Sequence, residues 1–192
     1  TNYLEAEQIL VGCEVRNKEE LLERMVDALL QSRVNRLNAN ISREQLLAAI
    51  RNREDERATG MEMGLAFPHA RIPDFRGVAM ALAILKNPIS FGDKGSEVRF
   101  VCMMVVSADA PMLTLRVMSR VANFFLDDTH RHSLLSASSS EEVVRLLSTG
   151  DLSLDIPVTA RDIMEPPGSH ILETTPLRDV SRILHLQNLS VV

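Results

Sequence analysis

Two apolar runs constrain this chain more than any other feature. Val78–Leu85 is eight apolar residues without a polar break, and Val98–Val106 is apolar except for Arg99. A strand with one wet face alternates apolar and polar residues, so runs that do not alternate belong to strands covered on both faces. Neither approaches the roughly 18–20 apolar residues needed to cross a bilayer. They predict the two central strands of a sheet. Between them, Asn87-Pro88 and Phe91-Gly92-Asp93-Lys94-Gly95 supply turn chemistry.

The flanking sequence supplies helices to cover such a sheet. Asn17 with Glu20, Ser42 with Gln45 and Ser139 with Glu142 all have capping-box spacing, in which two side chains satisfy each other's orphan amides. Leu21, Leu22, Met25, Val26, Leu29 and Leu30 follow the first at helical spacing, and Val143, Val144, Leu146 and Leu147 follow the third. Leu46, Leu47 and Ile50 follow the second and lead into the charged run Arg51–Arg57, which reads as a solvated helix end and loop. Pro111–Leu126 carries apolar residues on almost every turn and predicts a helix buried on more than one side. Gly60, Gly64 and Pro68 divide the pieces around Met61 and Leu65–Phe67 into short strands joined by a tight turn. The expected class is α/β, in two or three layers, over residues 1–150.

Composition narrows the function classes. The 192 residues are 45% hydrophobic and 24% charged, an ordinary globular profile. A net charge of −5, one Tyr and no Trp argue against nucleic-acid binding, which needs cationic surface and stacking faces. Cys13 and Cys102 lie far apart among apolar neighbours, as reduced core thiols would, and this fits the cytoplasm. The N-terminus lacks the layout of a secretory signal and starts at Thr, so the sequence reads as a piece of a longer chain. Residues 151–157 read as a linker. In 158–192 a helix opens at Thr175-Pro176 and a strand begins at the last residues, too little chain to bury its own core.

Five histidines could carry chemistry. His185 falls among leucines, His170 has no visible partner, and His130 and His132 flank Arg131 in what reads as a polar loop with no completed metal shell. His69 differs, because Pro68 ends a short apolar strand and projects the next side chain from a stiff element. Arg53, Arg57 and Arg71 supply positive charge nearby in sequence. A nucleophilic imidazole among guanidinium groups suits phosphoryl transfer, in which about two negative charges must be neutralised as the group moves. The residues alone leave a structural histidine beside surface arginines equally open.

Arg53-Glu54, Thr59-Gly60-Met61 and Gly64-Leu-Ala-Phe-Pro-His69-Ala-Arg71 resemble the signature of enzyme IIA domains of the fructose, mannitol and nitrogen-regulatory class of the bacterial phosphotransferase system. The similarity covers roughly residues 5 to 150. It implies a mixed central sheet with helices on both faces. It also implies that His69 accepts a phosphoryl group from an HPr-type phosphocarrier protein, with Arg53 beside it and Thr59 and Arg71 stabilising the phosphate. No metal or organic cofactor is implied.

Two positions depart from that pattern. Glu62 stands where the family has glycine, bringing a negative side chain toward the phosphate's approach. Met112 stands where the family has a second, supporting histidine. A thioether donates nothing and accepts weakly, and losing one such contact costs ~2–4 kcal/mol of transition-state stabilisation. Separately, Val158–Met164, Thr175–Leu184 and Asn188–Val192 resemble the opening half of a CBS domain, a module that pairs, binds adenine nucleotides and regulates attached proteins. Together these resemblances imply a regulatory IIA-like domain, slow in transfer, coupled to a CBS-type regulatory or transporter module, with CBS-type pairing pointing to a homodimer. The alternatives are a phosphorelay component of sugar uptake and a non-catalytic ligand-binding or oligomerisation module.

Overall fold

Both apolar runs become strands at the middle of one sheet. In the structure, a computed structural model, β5 (Val78–Ser90) and β6 (Glu97–Ser107) pair antiparallel, with Leu82 opposite Cys102. The described residues are 4–31, 38, 41–75, 77–92, 97–108 and 111–149, without the side chains of Glu62 and Pro111. The segment 151–157, the CBS-like segment 158–192, and His170 and His185 lie outside them. β1 (Ile9–Cys13) pairs parallel to β5. Along the other side of β6 run β3 (Leu65–Ala66) and β4 (His69–Ile72), both parallel to it, and β2 (Gly60–Met61) pairs antiparallel to β3. The sheet is mixed, in the order β1-β5-β6-β3-β2 with β4 also on β6.

The two faces of β5 explain why its sequence does not alternate. Val78, Met80, Leu82 and Ile84 enter a core shared with α3 (Pro111–Leu126), α4 (Asp128–Ser136) and α5 (Ser140–Thr149), through Val117, Phe125, Leu134 and Val143. Ala79, Ala81, Ala83 and Leu85 enter a second core with α1 (Lys18–Leu30) and α2 (Arg43–Glu56), through Leu21, Met25 and Ile50. Small side chains on one face let α1 and α2 approach closely, while bulky ones fill the other. Each buried Val, Leu, Ile, Phe or Met contributes about 1.5–3 kcal/mol.

Several local expectations need correction. The charged run is helical as far as Glu56 and mostly solvated, as the expected helix end is, but it carries a buried Glu54. It stays helical because α1 supplies counter-charges: Arg51 pairs with both Glu19 and Glu23. The Ser42–Gln45 box closes in both directions, at 3.3 and 2.7 Å. At α1 only half forms, since Asn17 accepts from the Glu20 amide at 2.9 Å while the Glu20 carboxylate takes the Arg16 amide at 3.1 Å. Asn87-Pro88 lies inside β5, at a register shift between Ile84 and Ile89 where the amide that proline lacks has no ladder partner to lose. α3 is buried on one side only, leaving Met112, Leu115 and Leu126 exposed. The histidine-bearing loop is α4, capped by Asp127 on the Thr129 amide. Cys13 and Cys102 are buried free thiols, as expected, and burial pushes the Cys102 thiol up to about 12.

Candidate functional site

Pro68 interrupts an edge without ending it. β3 is aligned with Phe100 and Val101 of β6, and β4 resumes with His69 beside Met104. Between them the Pro68 carbonyl accepts the Met104 amide at 3.0 Å, so the ladder to β6 survives a residue that cannot donate. On the outer side the Phe67 amide donates to the Thr59 carbonyl at 3.2 Å. The expectation that His69 projects from a strand end is therefore corrected. It is the first residue of β4, and only 7% of it is exposed.

Side chains two apart on a strand share a face. Phe67 and Met104 belong to the core on the α3 side and Ala70 to the core beneath α1 and α2, which puts His69 on the α3 face. Arg53 reaches the ring from α2, donating through Nε to His69 Nε2 at 3.3 Å. Its Nη1 donates to the Arg57 carbonyl at 3.0 Å, which fixes the plane of the guanidinium. The other ring nitrogen, Nδ1, lies 2.9 Å from the Phe67 carbonyl.

Those two contacts fix the protonation state. A carbonyl only accepts, so Nδ1 carries the proton; a guanidinium only donates, so Nε2 presents its lone pair. Burial holds the His69 pKa below the ordinary histidine value and outweighs the hydrogen bond to Phe67. The positive charges of Arg53 and Arg71 lower it further, against the Glu54 carboxylate. His69 is thus a neutral Nδ1–H tautomer with the Nε2 lone pair facing the Arg53 guanidinium.

The other anticipated residues stand further out. Arg71 follows His69 by two on β4, exposed, and acts on the ring by charge rather than through a hydrogen bond. The Thr59 hydroxyl donates to Glu54, and the Thr59 amide donates to the same carboxylate at 3.4 Å. Glu54 is 3% exposed and was hidden in the charged run, although its phase gives it away: it lies four residues after Ile50 and seven after Leu47, on the buried stripe of α2. Met112 sits on the first turn of α3, 57% exposed and without a hydrogen bond to His69. Two residues on, Thr114 is buried with its hydroxyl unpartnered among the described residues. The Glu62 side chain, expected near the approach, lies outside them.

His130 stacks on Phe124 with ring centres 4.2 Å apart, and His132 sits one α4 position beyond Arg131 with Nδ1 on the Asp128 carbonyl. Both are held as structural side chains. No cluster of three metal-ligating side chains occurs among the described residues, nor any helix long and apolar enough to cross a membrane.

The site is thus a buried, tautomer-fixed imidazole beside an arginine, on a mixed sheet covered by helices on both faces. The family model described as phosphoenolpyruvate-dependent sugar phosphotransferase system, EIIA 2, matches residues 2–150, and the chain belongs to that family. Among curated proteins it is 26% identical over 152 residues to the fructose-specific EIIABC component of Bacillus subtilis, covering 79% of this chain and 23% of that protein. It is 30% identical over 97 residues to multiphosphoryl transfer protein 1 of Escherichia coli, covering 50% of this chain and 12% of that one. The chain therefore spans under a quarter of the length of either relative. Among solved structures, the nitrogen regulatory protein IIA-Ntr of Neisseria meningitidis superposes with a TM-score of 0.66 at 27% identity, covering 76% of this chain and 96% of that one. IIA mannitol of Escherichia coli shares the fold, with a TM-score of 0.61 at 21% identity, over 75% and 98% of the two chains.

Proposed function

We propose that His69 is the phosphoryl acceptor of this domain, that the donor is an HPr-type phosphocarrier, and that the domain serves regulation more than sugar flux. The observation that carries this reading is the pair of contacts on the ring, with Nδ1 held by Phe67 and Nε2 facing Arg53. As the N–P bond to the donor imidazole breaks, a new N–P bond forms at Nε2. The ring's positive charge moves with the group: the donor leaves neutral, and His69 becomes an N-phosphorylated imidazolium whose Nδ1–H stays on the Phe67 carbonyl. Arg53 has to release Nε2 and turn to the incoming phosphate oxygens, which accept a charge-assisted hydrogen bond more strongly than the imidazole does. Arg71 adds positive charge at the exposed side.

We attribute slow transfer to Met112, which by the resemblance stands where the family has a supporting histidine. Met112 offers no proton to a phosphate, and with 7% of His69 exposed the group must be admitted before it can react. Coupling to a CBS-type module in 158–192, and a dimer built on it, belong to this proposal and rest on the sequence resemblance alone. A second reading, relay to a sugar permease, is favoured by the likeness to the fructose-specific component. Labelled phosphoenolpyruvate with enzyme I and HPr separates the two. The wild type should acquire acid-labile, base-stable label, slowly, and His69→Ala none. Labelling complete within seconds would favour relay, and no label on the wild type would reject the acceptor role altogether.

A further inference from the structure

Glu54 is the only buried carboxylate among the described residues, and it sits in the last turn of α2. Both facts oppose a negative charge there, since burial removes its water and the C-terminal end of a helix dipole repels anions. Two partners offset this. Lys18 of α1, whose Nζ also lies 5.5 Å from the centre of the Phe91 ring, approaches Glu54 to 3.7 Å. Thr59 gives it both its amide and its hydroxyl. A lysine or arginine would suit the end of a helix better, so anchoring α2 is a poor account of this residue.

The hydrogen bonds continue past Thr59. The Thr59 carbonyl receives the Phe67 amide at 3.2 Å, and the Phe67 carbonyl receives Nδ1–H of His69 at 2.9 Å. Every link is a donor meeting an acceptor, so an unbroken path joins the Glu54 carboxylate to the ring nitrogen that does not react. We propose that Glu54 is a positioning residue for His69. By holding Thr59 through two hydrogen bonds, it fixes the Phe67 carbonyl in the orientation that selects the Nδ1–H tautomer and presents Nε2. The inference rests on the acceptor role of His69 only in naming Nε2 as the reacting atom.

Nitrogen NMR of histidine-labelled protein above the titration of the ring reads the tautomer directly, without any phosphoryl donor. Wild type should show Nδ1–H as the dominant form. Glu54→Ala should bring the two tautomers to comparable populations, and Glu54→Gln, which keeps an acceptor oxygen for Thr59, should restore most of the Nδ1–H form. Thr59→Val, which deletes one of the two hydrogen bonds, should move the tautomer in the same direction by less, and it carries the test if Glu54→Ala does not fold. In the phosphorylation assay Glu54→Ala should lower the maximal labelling rate about tenfold with little change in half-saturation by HPr. An unchanged tautomer in folded Glu54→Ala, or in Thr59→Val where only that variant folds, overturns the proposal. A tautomer shift in a protein whose wild type never labels would leave the positioning role standing and remove the acceptor role instead.

Discussion

The surroundings of His69 on the α2 side and the first turn of α3 are built to different standards. On the α2 side two strings of hydrogen bonds, one through Arg57 and Arg53 and one through Glu54, Thr59 and Phe67, end on the two ring nitrogens. The first turn of α3, where the resemblance puts a supporting histidine, carries instead an exposed thioether at Met112 and, at Thr114, a buried hydroxyl with no partner among the described residues. One region fixes the orientation of an imidazole; the other carries a thioether that donates nothing. Presenting an imidazole and stabilising a phosphoryl transition state are separable tasks, and under the proposed acceptor role this domain is better equipped for the first than for the second.

Removing the guanidinium should have the largest effect. Arg53→Ala takes away the one cation in contact with Nε2 and is expected to slow labelling of His69 by about 10²–10³-fold, the loss of ~3–4 kcal/mol of transition-state stabilisation. Arg53→Lys should recover only part, because a point charge cannot keep the Arg57 carbonyl and the phosphate together as a planar fork can. Labelling time courses at saturating HPr would decide it, and an Arg53→Ala rate within twofold of wild type would strip the built side of its advantage. The first turn of α3 predicts the opposite sign: Met112→His should speed labelling by about tenfold or more, by putting a donor there. An unchanged rate would mean that Met112 does not face the reacting group.

A third substitution asks how rigid the built side is. A Cβ on Gly60, directly after Thr59, would clash with the Phe91 carbonyl oxygen, and backbone cannot yield as a side-chain tip can. Gly60→Ala should therefore destabilise the domain by about 1–3 kcal/mol in urea unfolding. Labelling should fall with it if Thr59 moves, whereas a loss of stability with full labelling speed would show that the Thr59 segment tolerates displacement.

How much of this was legible depended on whether the signal was local. The sheet centre, α1, α3 and the cap of α2 follow from apolar period and capping spacing, which neighbouring residues determine. His69 and Arg53 were legible through their motif, sixteen residues apart, and the structure joins them at 3.3 Å. β4 was missed because a proline reads as a strand terminator, and only the Met104 amide, distant in sequence, shows that the ladder continues. Glu54 was missed because a charge run reads as solvated, although its phase after Leu47 and Ile50 marked it as buried; only its counter-ion, Lys18 of α1, is a tertiary fact. α4 was missed for a related reason: its polar sequence is held by Leu134 in the core and by His130 stacked on Phe124.

The smallest expected effect concerns protons, and it tests whether burial or charge dominates on the built side. The folded-state pKa of His69 is lowered, mainly by burial and secondarily by Arg53 and Arg71. The unfolded chain, with an ordinary histidine near 6.5, then binds more protons than the folded one in the window below that value. Stability is full above about pH 6.5 and declines as pH falls through it, with a slope for this one group of at most about 1.4 kcal/mol per pH unit, and the decline stops once the folded ring is also protonated. Urea midpoints measured across that window should fall less steeply for His69→Gln than for wild type, and parallel curves would show that the buried ring contributes no such linkage. Because burial is the larger cause, Arg53→Ala should retain most of the wild-type slope, and Met112→Ala all of it. The labelling rate should follow the same proton: it should hold below pH 6.5, where a solvent-exposed histidine would already be half charged, and fail only once Nε2 loses its lone pair.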